Sequence, residues 1–224
     1  MALILSIDTA MENARLCIAD GADILMLKTN NKQSDHAAWI HKAIKEALDQ
    51  IGKNIKELKA VAVVSGPGSY TGLRVGMATA KGLCYALNLP LITESTLYLI
   101  ASRVKNQMEE EAWICPMIDA RRMEVFTVLY DDRMKEQQGP SALILDEHSF
   151  EPILDRHKII FAGNGSAKWE TICHHSNAKF SSAVYTVNDM AIQASSKFAA
   201  QDFVSIAYSS PSYLKNVYTG TKDV

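Results

Sequence analysis

No two cysteines in this sequence sit at CxxC spacing. The four present, Cys17, Cys84, Cys115 and Cys173, are scattered along the chain. That excludes a zinc ribbon and a disulfide-stapled secreted fold, and leaves them as reduced, buried small hydrophobes. An excess of positive charge is also missing. Lys and Arg number 23 against 25 Asp and Glu, for a net charge of −2. Gripping nucleic acid by bulk electrostatics needs a basic surface, so any RNA partner would owe most of its positive contacts to another subunit. No apolar run approaches membrane-spanning length. Met1-Ala2-Leu3-Ile4-Leu5-Ser6-Ile7-Asp8 lacks a basic segment and reaches Asp8 early, so a strand is expected there rather than a signal peptide, and the cytoplasm as compartment. The remaining composition is ordinary for a globular protein, 48% hydrophobic and 21% charged over 224 residues. It suits one large domain or two small ones.

Several catalytic and cofactor signatures are absent too. The glycine-rich stretch Ser65 to Gly76 has Leu73 and Arg74 after Gly72, where a Walker loop needs Lys. It misses the Rossmann spacing by one residue, and no acidic residue closes a following strand. Gly-x-Ser-x-Gly does not occur, so no serine nucleophile elbow is present. His36 and His41 lie five apart on one expected helix. At that spacing they point about 140° away from each other, which excludes an i, i+4 zinc pair. No catalytic residue and no metal ligand is assigned.

What is there alternates between strand and helix patterns. Strands are expected at Leu3–Ile7, Ala14–Ala19 and Ile24–Thr29, the last two joined by Asp20-Gly21. A helix follows from His36 to Ile51, with Ile40, Ile44, Ala47, Leu48 and Ile51 on one face and Ser34 or Asp35 as cap. Ala60–Val64 is a strand, and the glycine turn after it opens a helix-compatible run from Met77 to Asn88. Leu91–Thr93 is a short strand, and Thr96 to about Met108 a helix. Beyond it, strands are expected at Trp113–Ile118, Glu124–Tyr130, Ser141–Leu145 and Lys158–Ala162. Helices are expected at His148–Asp155, Ser166–Cys173 and Asp189–Gln201.

The two halves resemble each other. Ile7-Asp8-Thr9-Ala10 leads into a strand at Ala14, and Ile118-Asp119-Ala120-Arg121 into one at Glu124, with the two Asp residues 111 positions apart. The pattern suggests an ancient duplication. A duplicated β-β-β-α-β-α unit with Asp at its first hairpin is the plan of the actin, Hsp70 and sugar-kinase superfamily. There, two ribonuclease-H-like halves hold ATP in the cleft between them. On that plan Asp8, Thr9 and Asp119 are candidates to orient phosphates or Mg²⁺. Gly163-Asn164-Gly165 either brings backbone close to a base or is a simple left-handed turn.

Arg74 falls in a first helical turn, where a cation opposes the helix dipole. It either pairs with a nearby acid or reaches a ligand or partner. Gly72, Gly76 and Ala80 repeat every four residues, a stripe that lets another element approach closely, whether a partner helix or the chain's own sheet.

Ile7-Asp8-Thr9, Ser65-Gly66-Pro67-Gly68-Ser69-Tyr70-Thr71-Gly72-Leu73-Arg74-Val75-Gly76, Ala80-Lys81-Gly82-Leu83, Asp119-Ala120-Arg121-Arg122-Met123-Glu124-Val125 and the closing Tyr213-Leu214-Lys215 after Pro211 resemble the TsaB (YeaZ) family over nearly the whole chain. The resemblance implies an α/β fold of two ribonuclease-H-like (actin-like ATPase) lobes from an internal duplication, with mixed sheets flanked by helices. Residues 1–108 would form the N-terminal lobe with the docking helices, and 109–224 the smaller C-terminal lobe. It implies a noncatalytic subunit that partners a TsaD homologue, with a TsaE homologue as ATPase, in threonylcarbamoyladenosine modification of tRNA. Contact with tRNA would come only through the complex, and no membrane is involved. A homodimer through the same helices is expected as well. No cofactor is implied for the chain alone; any ATP or ADP would belong to the complex. The implied docking face holds His36, Trp39, Ile40 and Ile44 of the first helix with Gly72, Arg74, Val75 and Gly76 of the second. Ala10, Asn164 and Lys215 stand where the family more often has Ser, Asp and Arg. The alternatives are an independent ATP-dependent phosphotransferase using Asp8 and Asp119 and, with less support, a peptidase of the M22 glycoprotease-like kind.

Overall fold

The computed structural model describes residues 2–32 and 35–215. Three strands open the chain: β1 (Leu3–Asp8), β2 (Ala14–Asp20) and β3 (Asp23–Asn30). α1 (His36–Gln50) and a 3-10 turn at Ile55–Glu57 lead to β4 (Ala60–Gly66). α2 (Tyr70–Leu87), β5 (Leu91–Ser95) and α3 (Thr96–Gln107) complete the first unit. The pattern then recurs as β6 (Trp113–Asp119), β7 (Glu124–Tyr130), β8 (Glu136–Ile144), α4 (Glu151–Leu154), β9 (Ile159–Ala162), α5 (Ser166–Glu170) and β10 (Ala178–Ser181). It ends with α6 (Val187–Ala199).

The strands form two five-stranded sheets, ordered β3-β2-β1-β4-β5 and β10-β9-β6-β7-β8. In each unit the first strand pairs antiparallel with the second and parallel with the fourth. In each, the fifth strand also runs parallel to the fourth. The expected α/β fold of two mixed sheets flanked by helices is the one observed, and both units share one strand order and one set of strand directions.

Burial explains where the layers lie. α1 and α2 cover one face of the first sheet, sealing Ile40, Ile44, Leu48 and Met77 against Leu5, Ile7, Leu16 and Val63. α6 returns to the other face and packs on β1, β2 and β5, where Ala191 meets Cys17 and Ala19, and Ala194 meets Ile4 and Ala62. α3 stands between the sheets, joining Leu97, Ile100 and Val104 to Ile114, Ile118 and Val128. The second sheet's outer core is aromatic, with Phe161 and Trp169 rings 4.5 Å apart and Phe150 and Phe180 against them. Among the described residues no helix is long and apolar enough to cross a membrane.

Local chemistry moves several boundaries. α2 begins at Tyr70, inside the glycine-rich stretch and seven residues before the expected Met77. Ser69 caps it by accepting from the Gly72 N–H at 3.3 Å. It ends where Asn88 turns left-handed at φ 53. The expected cap of α1 differs, since Asp35 makes no side-chain cap bond and Ser34 lies outside the described residues. The helix expected at His148–Asp155 shrinks to α4, and β8 starts five residues before the expected Ser141. β10 has no counterpart in the sequence reading; it is a short edge strand without strong alternation.

Candidate functional site

A cavity of about 1100 Å³ opens between the two units. On one side lie Ala10 and Met11 of the first hairpin, His36 of α1, and Gly68 to Gly72 at the head of α2. On the other lie Ile118 to Arg121 of the second hairpin, with Phe126 and Asn164. The duplicated hairpins thus face one another across the cleft.

Asp8 stands behind this wall rather than in it. Its side chain is fully buried. Oδ2 accepts from Arg15 Nη2 at 2.6 Å, from Arg15 Nε at 3.2 Å and from the Tyr185 hydroxyl at 2.9 Å, while Oδ1 accepts from the Ala10 N–H at 3.0 Å. Burial, and then the Asp8 charge, hold the Tyr185 phenol well above its usual range, so it remains the donor. Thr9 is likewise engaged, its buried hydroxyl donating to the Gly72 carbonyl at 2.7 Å. A phosphate would have to displace Arg15 to reach Asp8. These two residues therefore do not fit the phosphate-holding role that the superfamily plan gives them.

Asp119 does reach the cleft, as a brace. Its Oδ1 accepts from the Arg121 N–H at 2.6 Å and from Lys168 Nζ at 2.8 Å. Partial burial works against the charge, but Lys168 and the Arg121 N–H outweigh it and hold the carboxyl below the usual range. Asn164 Oδ1 accepts from the Asp119 N–H at 3.0 Å. Gly163 has φ 96, and a Cβ there would lie 2.4 Å from the Met117 carbonyl oxygen; one on Gly165 would lie 2.9 Å from the Ile118 carbonyl carbon. The Gly163-Asn164-Gly165 turn is glycine-rich because it presses on the end of β6.

The small-residue stripe has a similar cause. A Cβ on Gly68 would lie 2.3 Å from the Ala10 carbonyl oxygen, one on Gly72 2.0 Å from that of Thr9, and one on Gly76 2.4 Å from Thr9 Oγ1. Gly72 and Gly76 are buried and turn inward, with the first hairpin seated on them. Of the expected docking residues, His36, Ile40 and Ile44 are buried as well, with Asn30 Nδ2 3.4 Å from His36 Nδ1. Trp39 and Val75 are half-buried, and Arg74 is exposed. Bulk at Gly76 would strike Thr9 before it met any partner.

The outward face of α2 lies in another phase. Ala78 and Gly82 are exposed, and among the described residues a Cβ on Gly82 would meet nothing within 4 Å. Tyr85 beside them is 83% exposed. The sequence reading missed these three, although they too are spaced three and four apart. Among the described residues Arg74 has no acidic partner; it lies 4.1 Å over the Tyr70 ring and donates from Nε to the Tyr213 hydroxyl at 3.1 Å. Among the described residues no three His, Cys, Asp or Glu side chains are placed to hold a metal ion.

Comparison with known proteins points one way. Residues 28–219 match the family model described as TsaD: tRNA N6-adenosine threonylcarbamoyltransferase. The tRNA threonylcarbamoyladenosine biosynthesis protein TsaB of Escherichia coli is 26% identical over 223 residues, covering 95% of this chain and 94% of that protein. TsaB of Bacillus subtilis is 26% identical over 167 residues, covering 73% of this chain and 72% of that protein. Among solved structures, YeaZ from Pseudomonas aeruginosa superposes with a TM-score of 0.75 at 22% identity, covering 96% of this chain and all of that one.

Proposed function

The chain belongs to the TsaD family, tRNA N6-adenosine threonylcarbamoyltransferase, with TsaB proteins among its relatives, and on that premise we propose that it is a noncatalytic scaffold subunit. In this reading it binds the TsaD homologue and supports threonylcarbamoyl transfer to the adenosine beside the anticodon of tRNA. A TsaE homologue is the further component, tRNA is met only in the complex, and the isolated chain pairs with itself through the same helices.

The observation that carries the reading is the outward face of α2. Ala78 and Gly82 leave its backbone open to close approach by another helix, and Tyr85 offers a large exposed anchor. The docking surface is accordingly Trp39, Arg74, Val75, Ala78, Gly82 and Tyr85. The engagement of Asp8 by Arg15 and Tyr185 argues against the independent phosphotransferase. Any ATP or ADP is assigned to the complex.

Gly82→Trp tests the placement, because space above Gly82 is open and the lone chain has no reason to unfold. Size-exclusion chromatography of the variant mixed with the TsaD homologue should show two separate peaks, with the thermal midpoint of the variant no lower than that of the wild type. A complex that survives the substitution would overturn it.

A further inference from the structure

The closing motif Pro211–Lys215 has no task in the reading above, yet the structure fastens it at several points. Lys81 Nζ of α2 donates to the carbonyls of Ala207 at 3.5 Å and Ser209 at 2.9 Å. The Ser212 N–H donates to the Ser65 carbonyl at 2.7 Å. Leu214 packs into the core between the sheets, and Lys215 pairs with Glu124 of β7. Tyr213, between these anchors, is brought onto the head of α2, its ring 5.0 Å from that of Tyr70.

Arg74 is what it holds there. Tyr70 covers one flat face of the guanidinium at 4.1 Å, and Tyr213 takes its Nε–H. No carboxylate among the described residues pairs with it, and its Nε–H to Tyr213 is the side-chain hydrogen bond it makes there, which leaves its terminal amino groups as the donors to be matched. The helix gains nothing from a cation in its first turn. Arg74 and Lys81 are the charged residues of α2, no acid lies on it, and Lys81 is engaged by the carbonyls.

We infer that Arg74, flattened between Tyr70 and Tyr213, receives a carboxylate side chain of the subunit that docks on α2, and that Pro211–Lys215 is the clasp that positions it. This rests on the scaffold reading. A planar guanidinium with Nε already satisfied offers the parallel pair of donors that a carboxylate fits. A phosphate would fit the same fork, but RNA binding draws on several cations together. Here the chain is net negative and the other cation of the helix is engaged.

The test is a calorimetric titration of the TsaD homologue into wild type, Arg74→Ala, Arg74→Lys, Tyr213→Phe and Gly82→Trp, with the thermal midpoint of each variant recorded. Arg74→Ala should weaken binding about 30-fold or more, and Arg74→Lys should recover little of it, because Lys has no fork. Tyr213→Phe should weaken it about 3-fold to 10-fold at an unchanged midpoint. Arg74→Glu should be rescued by one Asp-to-Arg or Glu-to-Arg exchange in the partner. If Arg74→Ala binds as wild type while Gly82→Trp does not, this inference falls and the scaffold reading stands. If wild type does not bind, both fall. If Arg74→Ala keeps its partner but the complex retains less tRNA, Arg74 serves RNA and the inference is overturned.

Discussion

The α-carbon of Gly72 faces the carbonyl of Thr9 so closely that a Cβ would lie 2.0 Å from its oxygen. The same helix carries Gly82, where a Cβ would meet nothing within 4 Å among the described residues. Gly72→Ala should therefore destabilise the chain by about 3 kcal/mol, since backbone rather than a flexible side chain must move. Gly82→Ala should stabilise it by up to about 1 kcal/mol through helix propensity. Urea unfolding of the two variants measures both, and equal midpoints would refute the seating of the hairpin on α2.

This pair also shows what could be read from the sequence. The repeated Asp hairpins and the alternation of strand and helix patterns suggested the duplication, and the resemblance to the TsaB family supplied the fold class; β1 and β4, buried on both faces, carry no alternation of their own. A four-residue stripe of small residues was visible too, but periodicity cannot say which phase points inward. Gly72 and Gly76 look like turn residues with poor helix propensity. They are helical because the Ser69 cap starts the helix early and Thr9 leaves no room for a side chain. The environment of Asp8 was hidden for another reason, since its partner Tyr185 lies 177 residues away. Ala78, Gly82 and Tyr85 share the same kind of spacing, and exposure, which only the packed structure reveals, is what sets their face apart.

Arg15→Met should cost about 3 kcal/mol. It would leave the buried Asp8 carboxylate with the Tyr185 hydroxyl and the Ala10 N–H as its remaining partners. Lys45→Met, which removes the exposed pair with Asp49, should leave stability almost unchanged, because solvent screens that pair. Chemical denaturation at one pH and salt concentration compares them. A change at Arg15 as small as that at Lys45 would show that the Asp8 cluster is not a structural anchor.

Glu94 sets a dependence on pH. It is 2% exposed, and among the described residues neither carboxylate oxygen has a hydrogen-bond partner. Burial pushes its carboxyl up to about 8, against the pull of Lys197 and with a further push from Asp8. The folded chain then holds a proton that the unfolded chain, with an ordinary carboxyl near 4.5, has lost. Its contribution is fully present below about 4.5 and is lost as pH rises through about 8, at a slope of about 1.4 kcal/mol per pH unit between the two. Glu94→Gln should remove this slope between pH 5 and about 8. Thermal midpoints of both proteins across that range decide it, and parallel curves would count against a protonated Glu94.

The Arg121-Arg122 turn is held in a conformation its residues disfavour. Both are left-handed, at φ 72 and φ 48, where tight hairpins usually place Asn and Gly. Lys168 offsets the cost by bonding at once to Asp119 Oδ1 at 2.8 Å, to the Arg122 carbonyl at 2.6 Å and to the Glu124 carbonyl at 3.0 Å. Arg122→Gly should relieve strain and stabilise by about 1 kcal/mol. Lys168→Met should destabilise by about 2 kcal/mol, because it strips charged donors from the turn. The two effects should not add: once Gly occupies position 122 the turn needs less bracing, so Lys168→Met should cost about half as much in that background. A double-mutant cycle by denaturant unfolding reads this coupling directly. Simple additivity would mean that Lys168 supports the end of β6 through Asp119 alone and leaves the arginine turn to hold itself.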